Sequence, residues 1–285
     1  MLNGKGRKEI SLRSQTITRR KLLELFGYGA ISAVIVGCRS NPLETELEKV
    51  MTENSSQIKD SKASQEGRLL SRPSNPAKEA LKAGQHSLAI EKKRDALLYV
   101  PKTYNPKNPA PLALMFHGAG GNAQHGLSLL QNIADEAGII ILSPKSQLST
   151  WDVIADEYGA DVKFIDQSLE HTFERCAVDK SRLAIGGFSD GASYALSLGI
   201  INGELFSHVL AFSPGFMAPT GQAGKPRFYI SHGTEDRVLP IERCSRRIVP
   251  QLKRGGYDVL YKEFEGPHTI PPEIVRESVQ WLIAK

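Results

Sequence analysis

The chain has 285 residues, 40% of them hydrophobic, with 36 Lys and Arg against 31 Asp and Glu, for a formal charge of +5. Residues 1–37 hold seven of the basic side chains and two of the acidic ones, so the remainder carries 29 of each. That neutrality removes the cationic footprint a nucleic-acid-binding surface needs, and the length admits one large domain or two small ones.

Residues 1–18 are polar and basic. After them "TRRKLLELFGYGAISAVIVGC" places Arg19 and Arg20 ahead of an apolar run from Leu25 to Gly37 that ends at Cys38. The run falls short of the roughly 18 apolar residues that span a bilayer, and with its basic flank it reads as an export signal. Thr18 to Leu23 follow a twin-arginine pattern, with Leu22 where Phe is usual and Glu24 where Lys is usual, and Ile35-Val36-Gly37-Cys38 follow a lipobox. The stretch resembles a twin-arginine signal joined to a bacterial lipobox. That resemblance implies cleavage before Cys38 and a diacylglycerol on its sulfur; the alternative is an uncleaved amphipathic anchor. Either reading places the rest of the chain outside the cytoplasm, at a membrane, on the periplasmic or extracellular side.

Residues 38–83 are rich in Ser, Asn, Lys, Glu and Pro, with a brief apolar pattern at Leu43, Leu47 and Val50. Such a composition predicts a flexible tether. From Gly84 the pattern changes. "HSLAIEKKRDALLYVP" reads as a hairpin, and strands are expected at 112–116, 138–143, 182–187, 209–213, 227–231 and 259–264. Helices are expected at 123–136, 161–176, 190–199, 241–254 and 272–284. The strands are almost continuously apolar, as in a parallel sheet covered on both faces. Residues 84–285 therefore read as one α/β domain. Cys176 and Cys244 fall on the core-facing stripes of two helices and read as small core residues, with a disulfide between them as the lesser alternative.

The chemistry is carried by "AIGGFSDGAS", in which Gly187, Ser189 and Gly191 form G-x-S-x-G on leaving an apolar strand. This is the pattern of a nucleophile elbow, a strand-to-helix turn that exposes a serine hydroxyl. A serine needs an imidazole to take its proton, and the imidazole needs a carboxylate to fix its tautomer. Of seven histidines, only His268 follows the last strand and precedes the last helix. His117 and His232 end earlier strands and come too soon to be the base; His86, His125, His171 and His208 have packing or surface positions. The acid is read as Asp236 in "SHGTEDRVLP", with Glu235 as the solvated neighbour. "LMFHGAGGNA" runs from a strand into bare backbone, so Ala119 and Gly120, with Asp190 after the nucleophile, are the expected oxyanion donors. A phosphate loop would need Lys and then Ser or Thr where Asn122 and Ala123 stand.

The segments "MFHGAGGN", "TWD", "GGFSDGAS", "HGTEDRVLP" and "GPHTIP" stand in the order of one family. Over about the last 200 residues the chain resembles a bacterial α/β-hydrolase of the phospholipase/carboxylesterase type, close to secreted depolymerase or feruloyl-esterase-like lipoproteins. The resemblance implies an α/β-hydrolase fold, a mostly parallel sheet with helices on both faces, with Ser189 as nucleophile, Asp236 as acid and His268 as base. Asp190 stands where acyl-protein thioesterases often have Gln, which argues against that identity. The short link "PGFMAPTGQAG" leaves no room for a cap domain, so an open site for small or polymer-borne esters is expected. Phe188 and Trp151 are candidate walls for the substrate, Trp151 being equally readable as a core plug. The expected function is serine carboxylic ester hydrolysis, as a monomer held to the membrane by the lipid at Cys38. The alternatives are a serine peptidase on the same fold and an inactive lipid-anchored binding module. No ligand spacing for a metal and no dinucleotide loop occurs, so no cofactor is expected.

Intact-mass analysis of detergent-extracted protein is expected to show a mature chain beginning at Cys38 with a diacylglycerol-sized addition. An unmodified N-terminus upstream of Cys38 would favour the uncleaved anchor.

Overall fold

A computed structural model describes residues 59–155 and 157–284. The expectations for the export signal, for Cys38 and for the first part of the tether lie outside the described residues.

Eight strands form one sheet: β1 (Gly84–Ser87), β2 (Ala96–Val100), β3 (Ala110–Phe116), β4 (Ile140–Pro144), β5 (Val178–Phe188), β6 (His208–Phe212), β7 (Arg227–Gly233) and β8 (Val259–Phe264). Their order is β1-β2-β4-β3-β5-β6-β7-β8. The hairpin read from the sequence pairs Gln85 with Tyr99 and His86 with Leu98, and β2 then runs antiparallel to β4. All further pairings are parallel. Strands β3, β4 and β6 are buried at every residue, the physical counterpart of their unbroken apolar sequences.

Helices cover both faces. On one, α2 (Ala123–Ala137) and α7 (Pro272–Ile283) place Leu127, Leu130, Ile274 and Leu282 against Ala113, Met115, Ile141 and Tyr229. The other face carries α4 (Ala160–Phe173), α5 (Asp190–Ile201) and α6 (Ser245–Arg254); Ile165, Leu169, Leu196 and Ile248 cover Leu112, Leu114, Ile185 and Val209. A single turn, α3 (Asp152–Ala155), precedes α4. Helix α5 is buried from Gly191 to Ile201, so it shows no polar face. The fold is that of the α/β-hydrolases. The link from β6 to β7, residues 213–226, holds no helix and no strand beyond one bridge of Gly203 to Gly224.

Two boundaries differ from the sequence reading. Ile241–Cys244, expected as the first turn of α6, form tight turns in which Arg243 N donates to Pro240 O and Cys244 N to Ile241 O. The helix starts only after Cys244, whose ψ of −104° is not helical. Helix α4 ends at Phe173, before Cys176; both cysteines are buried and carry free thiols, so no bond joins them.

The larger correction concerns the tether. Its second part, 59–83, lies against the domain. A helix α1, described over 59–65, leads into a strap whose Leu69 is 1% exposed. Leu69 N donates to Asn202 Oδ1 at 2.8 Å, and Asn202 Nδ2 returns a bond to Gly67 O at 2.8 Å. Leu70 N and Ser71 N both donate to Asp166 Oδ1, and Lys78 pairs with Glu174 at 2.6 Å. The segment lacks the apolar content for a core of its own, as its composition implied. It is ordered by one buried leucine and by carboxylate and amide groups of α4 and of Asn202 after α5, which satisfy its backbone.

Asn202→Ala should therefore cost about 1–3 kcal/mol, because Leu69 N and Gly67 O lose their buried partner. Urea unfolding is expected to show a lower midpoint with an unchanged slope. A midpoint equal to that of the parent would mean that the strap is not held in solution.

Candidate active site

Strand β5 ends at Phe188, and Ser189 makes the turn into α5. Ser189 has φ 58° and ψ −121°, a strained conformation for a residue with a side chain, which lifts its hydroxyl clear of the turn. Two neighbours of the turn must be glycine. A Cβ on Gly187 would lie 2.6 Å from the Gly191 carbonyl carbon and 2.7 Å from Phe116 O; one on Gly191 would strike Phe116 O and His117 O. The end of β3 is thus packed directly under the elbow. Ser189 N donates sideways to Phe212 O at 2.9 Å, tying the turn to β6 as well.

The loops after β7 and β8 supply the partners. His268 Nε2 lies 2.9 Å from Ser189 Oγ, and His268 Nδ1 lies 2.6 Å from Asp236 Oδ2. A carboxylate accepts only, so Nδ1 carries the proton and Nε2 is left to accept from the serine hydroxyl. The two loops are bonded to each other through Thr234 N to Phe264 O and Glu235 N to Gly266 O. Asp236 is 5% exposed, while Glu235 is exposed and points to none of these groups. Burial alone would raise the Asp236 carboxyl, but N–H donation from Leu239 and the hydrogen bond and charge of His268 outweigh it. Its pKa therefore lies below the ordinary carboxylate value. His232 also reaches this carboxylate, with Nε2 at 3.1 Å from Oδ2.

On the opposite side of Ser189, the loop after β3 divides the expected donors. Gly120, with φ 68°, gives its N–H to Ser149 O at 2.6 Å and is a turn residue rather than a free donor. Among the described residues, the N–H groups of Ala119 and Asp190 make no hydrogen bond. The loop after β4 braces both sides, since Thr150 Oγ1 also donates to Asp190 Oδ2 at 2.6 Å. His117 is buried and structural: Nε2 accepts from Ser146 N and Nδ1 donates to Gly118 O. Burial holds its pKa below the usual histidine value, in keeping with a neutral ring.

Trp151 does not line the site. It is 0% exposed, stacks on Tyr194 at 5.1 Å and donates from Nε1 to His117 O, forming the floor beneath the β3 loop. Phe188 is half-buried with its ring 4.6 Å from that of His268. Beside this pair lies an open groove of about 540 Å³, bounded by Leu129, Ile133, Ile270 and Val275.

Ser149, Thr150 and His232 were not legible as site residues. Nothing in a loop serine or threonine marks it as the partner of a backbone N–H about thirty positions earlier, as Ser149 is of Gly120, or of a side chain forty positions later, as Thr150 is of Asp190. His232 alone carried a signal, a histidine closing a strand one turn before the acid.

Residues 143–283 match the family model described as phospholipase/carboxylesterase. The chain is 30% identical over 158 residues to a probable feruloyl esterase C of Aspergillus niger, covering 52% of this chain and 57% of the relative. It is 29% identical over 157 residues to feruloyl esterase C of Emericella nidulans, with the same coverage of 52% and 57%. The chain thus spans little more than half the length of these relatives. Among solved structures, esterase PE8 superposes with a TM-score of 0.53 at 20% identity, over 71% of this chain and 98% of that one.

Asp236→Asn should slow fluorophosphonate labelling of Ser189 by a factor of about 10⁴, since the amide no longer holds the His268 tautomer. Glu235→Gln should label at the parental rate. The reverse order would make Glu235 the acid.

Proposed function

Given that the chain is an α/β-hydrolase of the phospholipase/carboxylesterase type, we propose that it is a serine carboxylic ester hydrolase acting outside the cytoplasm on small or polymer-borne esters. The observation that carries this reading is the continuous relay from Ser189 Oγ through His268 to Asp236, at 2.9 and 2.6 Å.

In the reaction, Ser189 Oγ attacks the ester carbonyl carbon while its proton passes to His268 Nε2. The imidazolium is stabilised by Asp236, whose depressed pKa keeps it ionised throughout. The carbonyl oxygen becomes an oxyanion and is received by the N–H groups of Ala119 and Asp190. The C–O bond to the alcohol then breaks, and His268 gives its proton to the departing oxygen. Water attacks the acyl-enzyme by the same route, His268 taking its proton and returning it to Ser189. The strained elbow and the braced loops keep both donors and base in place before substrate arrives, so little reorganisation accompanies bond making.

Aromatic acyl or alcohol groups are the favoured substrates. Two features support this: the feruloyl esterase relatives, and the open groove of about 540 Å³ beside Phe188 and His268, where Leu129, Ile133, Ile270 and Val275 offer apolar surface to a ring. The uncapped β6–β7 link supports access by ester groups borne on a polymer. The twin arginine at Arg19 and Arg20 and the run Ile35-Val36-Gly37-Cys38 support a lipid anchor at Cys38 and action at the membrane surface.

Ser189→Ala is expected to leave a folded protein with hydrolysis of hydroxycinnamate and p-nitrophenyl esters lowered by a factor of about 10⁴ or more. Full activity in the variant, or fluorophosphonate attachment at another residue in the parent, would overturn the assignment.

A further inference from the structure

His232 is the last residue but one of β7, four residues before Asp236, and is fully buried, far from any solvent that could satisfy its ring. Its two nitrogens meet very different partners. Nε2 faces the carbonyl oxygen of Leu239 at 2.8 Å and Asp236 Oδ2 at 3.1 Å, both of which only accept. Nδ1 faces Ser245 Oγ at 2.7 Å, a hydroxyl able to donate. The proton must therefore sit on Nε2, and Ser245 donates to Nδ1. Burial lowers the His232 pKa, which keeps the ring neutral and leaves this one tautomer.

We propose that His232 is a positioning residue for the relay: its Nε2–H fixes the Asp236 carboxylate in the orientation that meets His268 Nδ1. Asp236 then has a donor on every side. Oδ1 takes Val238 N at 2.9 Å and Leu239 N at 2.8 Å; Oδ2 takes His268, and His232 Nε2 stands 3.1 Å from the same oxygen while bonding Leu239 O. The backbone pair alone leaves the plane of the carboxylate free to turn about its axis, and the histidine of β7, part of the sheet, ties it to a rigid element. Leu239 O, held by the same Nε2–H, closes the loop that carries the acid. This assignment rests on the ester-hydrolase reading, in which the same carboxylate serves His268.

The test has an arm that needs neither activity nor a variant. Nitrogen-15 NMR of the ring resonances of the parent protein should show His232 protonated at Nε2 and bare at Nδ1; the opposite tautomer would overturn the proposal outright. In kinetics on a soluble aryl ester, His232→Leu should lower kcat about 10- to 100-fold with KM within about twofold, the cost of a slightly misplaced group. His232→Gln, whose amide N–H falls near the position of Nε2, should recover most of that loss. Rates are taken per active site, by titration with a fluorophosphonate. Equal losses in the Leu and Gln variants, or no loss in either, would make His232 a core residue only. Parental activity stays intact in either case, so failure here is separable from failure of the esterase assignment.

Discussion

Close contact between the end of β3 and the turn at Ser189 sets the terms for the whole catalytic edge. The carbonyl oxygens of Phe116 and His117 lie where side chains on Gly187 or Gly191 would fall, so strand, elbow and helix converge on almost bare backbone. A serine in that turn carries a cost of about 1–3 kcal/mol, borne by burial of α5 on every side. The arrangement brings the N–H of Asp190 and the loop after β3 to the same point. Catalytic geometry is in this sense a by-product of how tightly β3 and α5 pack.

The remaining parts are tied to one another rather than left to solvent. The loops bearing Asp236 and His268 exchange backbone hydrogen bonds, and the loop after β4 holds Gly120 through Ser149 and Asp190 through Thr150. Beneath that loop, Asp152 and Asp161 each accept the other's N–H, while Arg94 pairs with Asp161 and Tyr194 donates to Asp152. The buried carboxylate of Asp161 is tolerated here because its oxygens are occupied by Arg94, Gln147 N and Asp152 N. The stiffness of the site comes from these polar ties as much as from the apolar core.

Much of this was readable in advance because it follows from local pattern. Apolar runs of strand length locate the edge where loops gather, and Ser189, Asp236 and His268 all lie there. Choosing Asp236 over its neighbour depended on motif position, and the structure brings Asp236, not Glu235, to His268. The failures share a physical cause. Leu69 is a single buried side chain in a polar stretch, and the groups that hold it and its neighbours Leu70 and Ser71, on Asn202 and Asp166, are more than 90 residues away; composition averages over such contacts. Trp151 can fill a wall or a floor with the same side chain, and only its hydrogen bond to His117 O decides. The Gly120 N–H looked available until the distant Ser149 claimed it.

His268 follows β8, which among the described residues lies at the sheet's edge and pairs with β7 alone. Its outer supports are ion pairs of Arg246 with Glu263 and Lys262 with Glu277, partly exposed and individually weak. The nucleophile, by contrast, sits between β3 and β6 in the middle of the sheet. Fraying of the edge would carry off His268 while the elbow stays folded, so the candidate site has a lower local stability than the scaffold that presents it. Heat or denaturant would then part His268 from Ser189 before the core gives way, and reannealing of one strand would suffice to rejoin them.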